Sequence, residues 1–162
     1  MKTYLSIAAA CLALQVAAPA AQAAEPQAAS AKSNTTQIEQ LLNKYEQALN
    51  SSDVNAAVQL YTDDAVLMPQ ATPTVVGGKA VKQFYIGTFK TIKINLKFQI
   101  AEVQVVSNEW AFLRTTSTGS MKVLATGTES PARTQELFVL HKESGQWKLA
   151  RYSFSSTQPA GM

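Results

Sequence analysis

Cysteine and histidine are almost missing from this 162-residue sequence, which has one of each, Cys11 and His141. Cys11 lies in an N-terminal apolar run that we expect to be removed, so the remaining chain would have no disulfide, thiol nucleophile or cysteine-metal site. One histidine is too few for a histidine-based metal site or triad, and we expect His141 to be an ordinary strand residue. Phosphate-binding glycine loops and serine elbows are also absent. The sequence therefore predicts no metal site and no cofactor.

A large excess of charge of one sign is absent too, because 14 Lys and Arg side chains stand against 11 Asp and Glu, a formal net charge of +3. This balance is too small to suggest nucleic acid or a membrane surface as a partner. Lysines do cluster between Lys79 and Lys97. Lys93 and Lys97 fall on the polar side of an alternating segment, so a solvated face is expected rather than an anion site.

The N-terminus has the pattern of a secretory signal peptide. Lys2 gives a positive start, Tyr4 to Ala18 is an apolar run with few interruptions, and Ala21-Gln22-Ala23 is a small-x-small cleavage site. The apolar run is too short for a permanent span, and an uncleaved anchor is the alternative. We predict a signal peptide at 1–23, a disordered leader at 24–34, one domain at 35–157 and a tail at 158–162, with export to the periplasm or medium and no membrane span after cleavage.

Three helices are predicted in the first half of the domain. Thr36 and Glu39 fit a capping box at the start of the first helix. Its apolar face is defined by helical spacing: Ile38, Leu41, Leu42, Tyr45 and Leu49. Asp53 can cap a short second helix that extends to Tyr61, and Gly77-Gly78 can start a third.

Strands are predicted between and after these helices. Asp63-Asp64 turns the chain into a brief strand at Ala65–Met68, which Pro69 ends. From Ile92 to Ile100 apolar and polar residues alternate, which is typical of a half-buried strand. Four further strands are predicted at Val103–Ser107, Trp110–Val123, Arg133–Lys142 and Trp147–Ser156, with a hairpin at Glu143-Ser144-Gly145. Helices followed by a meander indicate an α+β protein.

Four segments resemble a known family: Tyr45 to Ala65, Gly77 to Tyr85, Val103 to Glu109 and Gly145 to Leu149. On these residues the chain resembles ketosteroid isomerase and the SnoaL-like polyketide cyclases of the nuclear-transport-factor-2-like superfamily. The resemblance implies a cone-shaped α+β fold, with three N-terminal helices packed on a curved, mostly antiparallel sheet. It does not fix an activity, because this scaffold carries isomerases, dehydratases, cyclases, epoxide hydrolases and non-enzymatic binders.

The resemblance also implies a site. Tyr45 matches the tyrosine that helps form the isomerase oxyanion hole, and Tyr61 and Tyr85 match two other pocket aromatics. The isomerase general base precedes a proline, and here Met68 precedes Pro69, so that base is missing. Each tyrosine has the alternative of an ordinary packed core residue.

Glu136 could match the family's second acidic residue if the hairpin at Gly145 is one residue longer, and it would then share an inward face with Phe138. On the opposite strand phase it would face solvent. Arg114 and Arg151 could neutralise Glu136 or hold an anionic ligand, with surface positions as the alternative. Phe112, Phe138 and Met68 are expected to contribute to an apolar pocket lining.

Three functions remain open at this point. The first is an exported homodimer that binds a small apolar or amphipathic molecule through Tyr45, Tyr61, Met68, Tyr85, Phe112, Arg114, Glu136 and Phe138. The second is an enzyme of the isomerase, cyclase or dehydratase type that uses Tyr45 as hydrogen-bond donor and Glu136 as acid or base. The third is a dimeric interaction module, which exposed apolar residues on the outer sheet face would favour.

Overall fold

The computed structural model describes residues 24–158, so the predicted signal peptide and most of the predicted tail lie outside the described residues. The elements in chain order are α1 (Ala24–Ser51), α2 (Val54–Gln59), β1 (Tyr61–Met68), β2 (Val75–Val76), α3 (Gly78–Thr91), β3 (Ile92–Val105), β4 (Trp110–Val123), β5 (Glu129–Glu143) and β6 (Gln146–Ser156). Among the described helices, none has the length and apolar character needed to cross a membrane.

The strands form one six-stranded sheet in the order β2-β1-β6-β5-β4-β3. β1 and β6 run parallel, and every other neighbouring pair is antiparallel. The sheet is curved and open, and the three helices cover one of its faces, which we call the inner face. The α+β class, the three N-terminal helices and the mostly antiparallel sheet are therefore confirmed.

The α1 helix supplies one wall of the core. Its predicted apolar face is confirmed, since Ile38, Leu41, Leu42, Tyr45 and Leu49 are all buried. The helix begins at Ala24, however, and so includes the segment predicted to be a disordered leader. That segment is rich in alanine, the strongest helix former. The predicted capping box is wrong, because Thr36 lies inside the helix and its hydroxyl donates to the Lys32 carbonyl oxygen at 3.2 Å.

Side chains of α1 also hold the edge strand β3. The Asn50 amide donates to the Leu96 carbonyl oxygen and accepts from the Leu96 N–H, both at 2.8 Å. One carboxylate oxygen of Glu46 accepts from the Phe98 N–H at 2.9 Å. These bonds satisfy edge groups of β3 that have no neighbouring strand, so the helix and the sheet edge are fixed relative to each other.

One helix cap and one glycine determine where the two helices after α1 begin. Asp53 caps α2 as predicted, because its carboxylate accepts from the Ala56 N–H at 2.9 Å. The predicted helical position of Tyr61 is wrong, since Tyr61 begins β1 and pairs with Leu149 of β6. α3 starts at Gly78 as predicted, after Gly77, whose φ of 88° favours glycine.

Two features of the later strands set which side chains face inward. β3 is one strand with an irregularity between Ile100 and Glu102, whereas the alternation predicted two strands there. The predicted hairpin after β5 is confirmed, with Ser144 and Gly145 at φ 49° and 79°, the left-handed pair of a two-residue turn.

Candidate ligand-binding cavity

Three tyrosines from three different elements bring their hydroxyls together in the interior. The Tyr45 hydroxyl of α1 lies 2.7 Å from the Tyr85 hydroxyl of α3. The Tyr61 hydroxyl at the start of β1 lies 2.8 Å from that of Tyr85 and 3.4 Å from that of Tyr45. The structure thus brings together all three tyrosines that the sequence singled out, as a hydrogen-bonded cluster.

Burial keeps these hydroxyls neutral. Removal from water raises the pKa of Tyr85 to about 12 despite hydrogen bonds from its two neighbours that oppose the shift. The same desolvation raises the pKa of Tyr45 and of Tyr61 well above the usual value, and the charges of neighbouring tyrosines add to it. The cluster therefore consists of O–H groups that donate to one another and do not ionise near neutral pH.

Tyr152 of β6 is a fourth buried tyrosine that the sequence analysis did not identify. Its ring stacks on Phe138 with centroids 4.3 Å apart and an interplanar angle of 3°. Tyr45 meets the rings of Phe138 and Tyr152 edge-on, at 5.8 and 5.6 Å. Desolvation, followed by the charges of Tyr85 and Glu136, raises the pKa of Tyr152 well above its usual value. Strict alternation from Trp147 and Leu149 would place Tyr152 outward, and the bulge in the pairing of β5 and β6 shifts the phase so that it is buried.

Beside this aromatic cluster lies a cavity of about 300 Å³. Residues of α1, α3 and five strands or loops line it: Tyr45, Leu49, Pro69, Gln70, Thr72, Phe84, Tyr85, Thr88, Ile92, Ile94, Leu96, Ser120, Met121, Ala132, Thr134, Tyr152 and Phe154. None of these side chains is charged. The wall is therefore apolar, with neutral hydroxyl and amide groups as its only polar side chains.

Glu136 lies on the inner face of β5 behind this wall, which confirms the inward strand phase. The carboxylate is 3% exposed and accepts hydrogen bonds from the hydroxyls of Thr115, Ser117 and Thr134, the Ser117 bond being 2.8 Å long. Only Thr134 of these three also lines the cavity. Hydrogen bonds from hydroxyls, rather than a cation, therefore compensate for the burial of this carboxylate.

The two arginines predicted near Glu136 bind other carboxylates. Arg114 Nε lies 3.2 Å from a Glu102 carboxylate oxygen, and both side chains are exposed. Arg151 pairs with exposed Asp64 at 3.3 Å. The Thr62 hydroxyl and then Arg151 lower the pKa of the Asp64 carboxyl. Both arginines therefore take the surface positions that were the alternative to neutralising Glu136. Arg114 adjoins Thr115 in β4 and so faces the opposite side of the sheet, and Arg151 is bonded to Asp64.

Met68 and Phe112 also lie outside the cavity wall. Ala65 and Leu67 are the buried residues of β1, which leaves Met68 40% exposed on the other side. Ala111 and Leu113 are buried on β4, so Phe112 lies half-buried on the outer face. Their predicted place in the lining is wrong because a one-residue difference in phase exchanges the two faces of a strand. Pro69 and Gln70 line the cavity where Met68 does not.

Within residues 32–158, no three His, Cys, Asp or Glu side chains are grouped so that they could hold a metal ion. The polar groups available to a ligand in the cavity are therefore the tyrosine, serine and threonine hydroxyls and the Gln70 amide.

Comparison with known proteins places this geometry in a class. A ketosteroid isomerase-like protein from Erwinia carotovora atroseptica is 38% identical, with a TM-score of 0.74, over 76% of this chain and 96% of that one. A Novosphingobium aromaticivorans protein with a provisional assignment as a scytalone dehydratase has 17% identity and a TM-score of 0.72, over 83% and 98% of the two chains. A type 2 hexachlorocyclohexane dehydrochlorinase has 10% identity and a TM-score of 0.72, over 83% and 95%.

No curated protein matches the sequence. The fold is that of a nuclear-transport-factor-2-like protein, and the aromatic-lined interior fits a ligand-binding or enzymatic role. The family model for the SnoaL-like domain matches residues 42–150, and this chain belongs to that family.

Proposed function

We propose that this protein binds a small, uncharged and largely apolar molecule in the 300 Å³ cavity. The observation that carries the proposal is the composition of the wall, which has no charged side chain. A charged ligand group would lose its hydration there without gaining an ionic partner, whereas an apolar group gains free energy by leaving water.

The size of the cavity and the hydrogen-bonding groups in its wall narrow the class of ligand further. A volume of about 300 Å³ is at the lower end for small-molecule sites, which favours a ligand of no more than about three rings. Tyr45 and Tyr85 both contribute to the wall, and their hydroxyls stay protonated. A carbonyl or hydroxyl oxygen on the ligand could take over one of these protons, because the 3.4 Å contact between Tyr61 and Tyr45 is the longest in the cluster, and that bond would fix the orientation of an otherwise apolar molecule.

A pair of fluorescent probes tests this proposal. N-phenyl-1-naphthylamine is neutral, and 8-anilinonaphthalene-1-sulfonate is a similar molecule with a negative charge. We expect the neutral probe to bind at least about tenfold more tightly, which corresponds to about 1.4 kcal/mol. Ile94→Glu, which places a carboxylate in the wall, should abolish binding of the neutral probe.

Ile100→Glu is the matched control, because Ile100 lies on the same strand, is 41% exposed and does not line the cavity. This variant should bind the neutral probe as the wild type does. Equal loss in both variants, tighter binding of the sulfonate, or no binding of either probe would contradict the proposal.

The second candidate is an enzyme of the isomerase, cyclase or dehydratase type. One observation favours it: Thr134 lines the cavity and donates to buried Glu136, so a proton could pass between ligand and carboxylate through this hydroxyl. The wall itself contains no carboxylate, and a positioned base contributes a factor of roughly 100 to 10,000. We therefore expect no enzyme-like isomerisation of Δ5-3-ketosteroids. Substantial turnover that Glu136→Gln or Thr134→Val abolishes would favour the enzyme.

Export is a separate proposal that depends on the sequence alone. Lys2, the apolar run after it and the small-residue site at Ala21-Gln22-Ala23 support cleavage after Ala23. N-terminal sequencing of the native protein would give Ala24 as the first residue, and an intact Met1 would contradict cleavage.

A further inference from the structure

A second concave site lies at the opposite end of the α1 core face from Tyr45 and Leu49. It is a groove of about 250 Å³ between α1, the end of α2 and the turn from β5 to β6. We call it the hairpin groove, since Gly145, Gln146, Trp147 and Lys148 form one side of it. It shares no lining residue with the cavity described above, so nothing in the proposed function accounts for it.

Trp147 carries the feature that requires an explanation. The residue is only 5% exposed, and its indole N–H is the single buried side-chain polar group of residues 32–158 without a hydrogen-bond partner. Buried donors are nearly always paired, because an unpaired one loses its bond to water and gains nothing in return. An acceptor is therefore missing from the surroundings of this indole.

The protein covers one face of the indole. The Lys142 ammonium lies over the ring, 5.1 Å from its centroid, and donates to the Asn34 side-chain oxygen at 2.7 Å. Lys142 and Asn34 are thus committed to each other, whereas the groove is a concave surface that Trp147 itself lines. An acceptor for the N–H would reach it from the groove.

The charge of the groove indicates which acceptor fits. Its lining includes the ammonium groups of Lys44 and Lys148 and no carboxylate. Lys148 lies 3.5 Å from Glu143, whereas Lys44 is exposed and forms no ion pair within the described residues. The positive potential therefore favours an anionic oxygen over a neutral one.

Glutamine side chains form the rest of the polar wall. Gln40, Gln59 and Gln146 make no side-chain hydrogen bond within residues 32–158, so each can rotate to admit a ligand or to donate to it. This matters because the indole N–H is shielded from bulk water until such a side chain moves.

We propose that the hairpin groove binds a small carboxylate, whose oxygen accepts from the Trp147 indole N–H while its charge is balanced by Lys44. The side-chain amides of Gln40, Gln59 and Gln146 supply further donors. The site is independent of the apolar cavity. It would give the protein a second ligand that is charged, whereas the ligand of the cavity is uncharged.

The two tryptophans of the sequence make a direct test possible. In the full chain labelled with 15N-tryptophan, each indole N–H gives one NMR signal. Titration with acetate should move the Trp147 proton downfield with saturation, because a hydrogen bond to an anionic oxygen deshields the donor. Trp110, which is exposed and stacked on His141, is the internal control and should not move.

Variants and a second anion complete the test. Lys44→Gln should weaken acetate binding about two- to fivefold, as expected for an exposed charge pair. Lys82→Gln, an exposed lysine of α3 outside the groove, should leave the affinity unchanged. Titrations with inorganic phosphate and chloride at matched ionic strength separate a carboxylate site from a general anion effect.

Several outcomes would overturn the proposal. A Trp147 signal that does not move up to about 50 mM acetate would show that a groove glutamine or water already satisfies the N–H. Equal, unsaturated movement of both indole signals would indicate a bulk salt effect. A response to phosphate but not to acetate would show a different anion site.

Discussion

Individual tyrosines determine the electrostatics of the interior. Tyr45, Tyr61, Tyr85 and Tyr152 are each at most 4% exposed, and burial disfavours the phenolate form of each one. In an unfolded chain the same side chains ionise near pH 10. Folding is therefore coupled to the protonation of four hydroxyls.

This coupling predicts a loss of stability at high pH. Below pH 10 both states keep the tyrosine protons, so the contribution is fully present. As pH rises above 10, the unfolded chain loses protons that the folded protein retains, and the free energy of unfolding falls by up to about 1.4 kcal/mol per pH unit for each buried tyrosine. For Tyr85 the window runs from pH 10 to about 12. Urea unfolding at a series of pH values measures the slope.

Tyr85→Phe provides the control, since it removes one of the titrating groups and should reduce the slope by the share of one tyrosine. Absorbance of the phenolate should also appear only with unfolding. Phenolate formation near pH 10 in the folded wild type would show that the cluster is accessible to water and would contradict the prediction.

The residues of the cavity were partly predictable from the sequence, and the reason is the difference between helix and strand periodicity. Tyr45 lies on an apolar face that five helical positions define together, so an error at one position does not change the face. Met68 and Phe112 depended on the phase of strands, in which a shift by one residue exchanges inside and outside. Arg114 lies at the surface for the same reason, because it adjoins Thr115, the inward residue opposite Glu136.

At the scale of elements, the ends of helices and strands could be predicted to different degrees, because the sequence signals that mark them differ in strength. Asp53, Gly77 and the Ser144-Gly145 turn have backbone requirements that few other residues meet, and the structure confirms all three boundaries. The start of α1 has no such marker, because alanine-rich sequence permits a helix without specifying where it begins. The irregularity at Ala101 has no turn residue either, so the alternation could not distinguish a bulge from the end of a strand.

Two glycines in different elements should respond to alanine in opposite ways. Gly87 is an exposed residue of α3, and a Cβ there would meet no atom within 4 Å. Gly87→Ala should therefore raise the free energy of unfolding by about 0.5–1 kcal/mol, the difference in helix propensity. At Gly119 of β4, a Cβ would lie 1.9 Å from the Asn95 carbonyl oxygen of β3. Gly119→Ala should lower the free energy of unfolding by at least about 2 kcal/mol, because backbone would have to move.

Urea unfolding of both variants tests this pair, and each serves as the control for the other. If Gly119→Ala were as stable as the wild type, the close approach of β3 to β4 at Gly119 would be wrong. A destabilised Gly87→Ala would instead indicate that α3 is covered at this position in solution.

The outer face of the whole sheet has an apolar area that the single chain does not cover. Phe112 and Val139 are cross-strand partners on this face, and both are half-buried. Leu137, the next outward residue along β5, is 47% exposed. Contiguous apolar area on a sheet face is typical of a surface that pairs with another protein. The area supports the proposal that two copies of this chain pair through their sheets.

We therefore predict a homodimer that a single charge can separate. At a two-fold interface each substitution occurs twice, so Leu137→Lys would bring two ammonium groups into the buried contact and favour the monomer. Val106→Lys is the matched control, because Val106 is 64% exposed in the turn between β3 and β4, away from this face. Sedimentation at micromolar concentration should give twice the chain mass for the wild type and for Val106→Lys, and the single chain mass for Leu137→Lys with unchanged secondary structure. A monomeric wild type would exclude the dimer in that concentration range, and a Leu137→Lys dimer would place the contact on another surface.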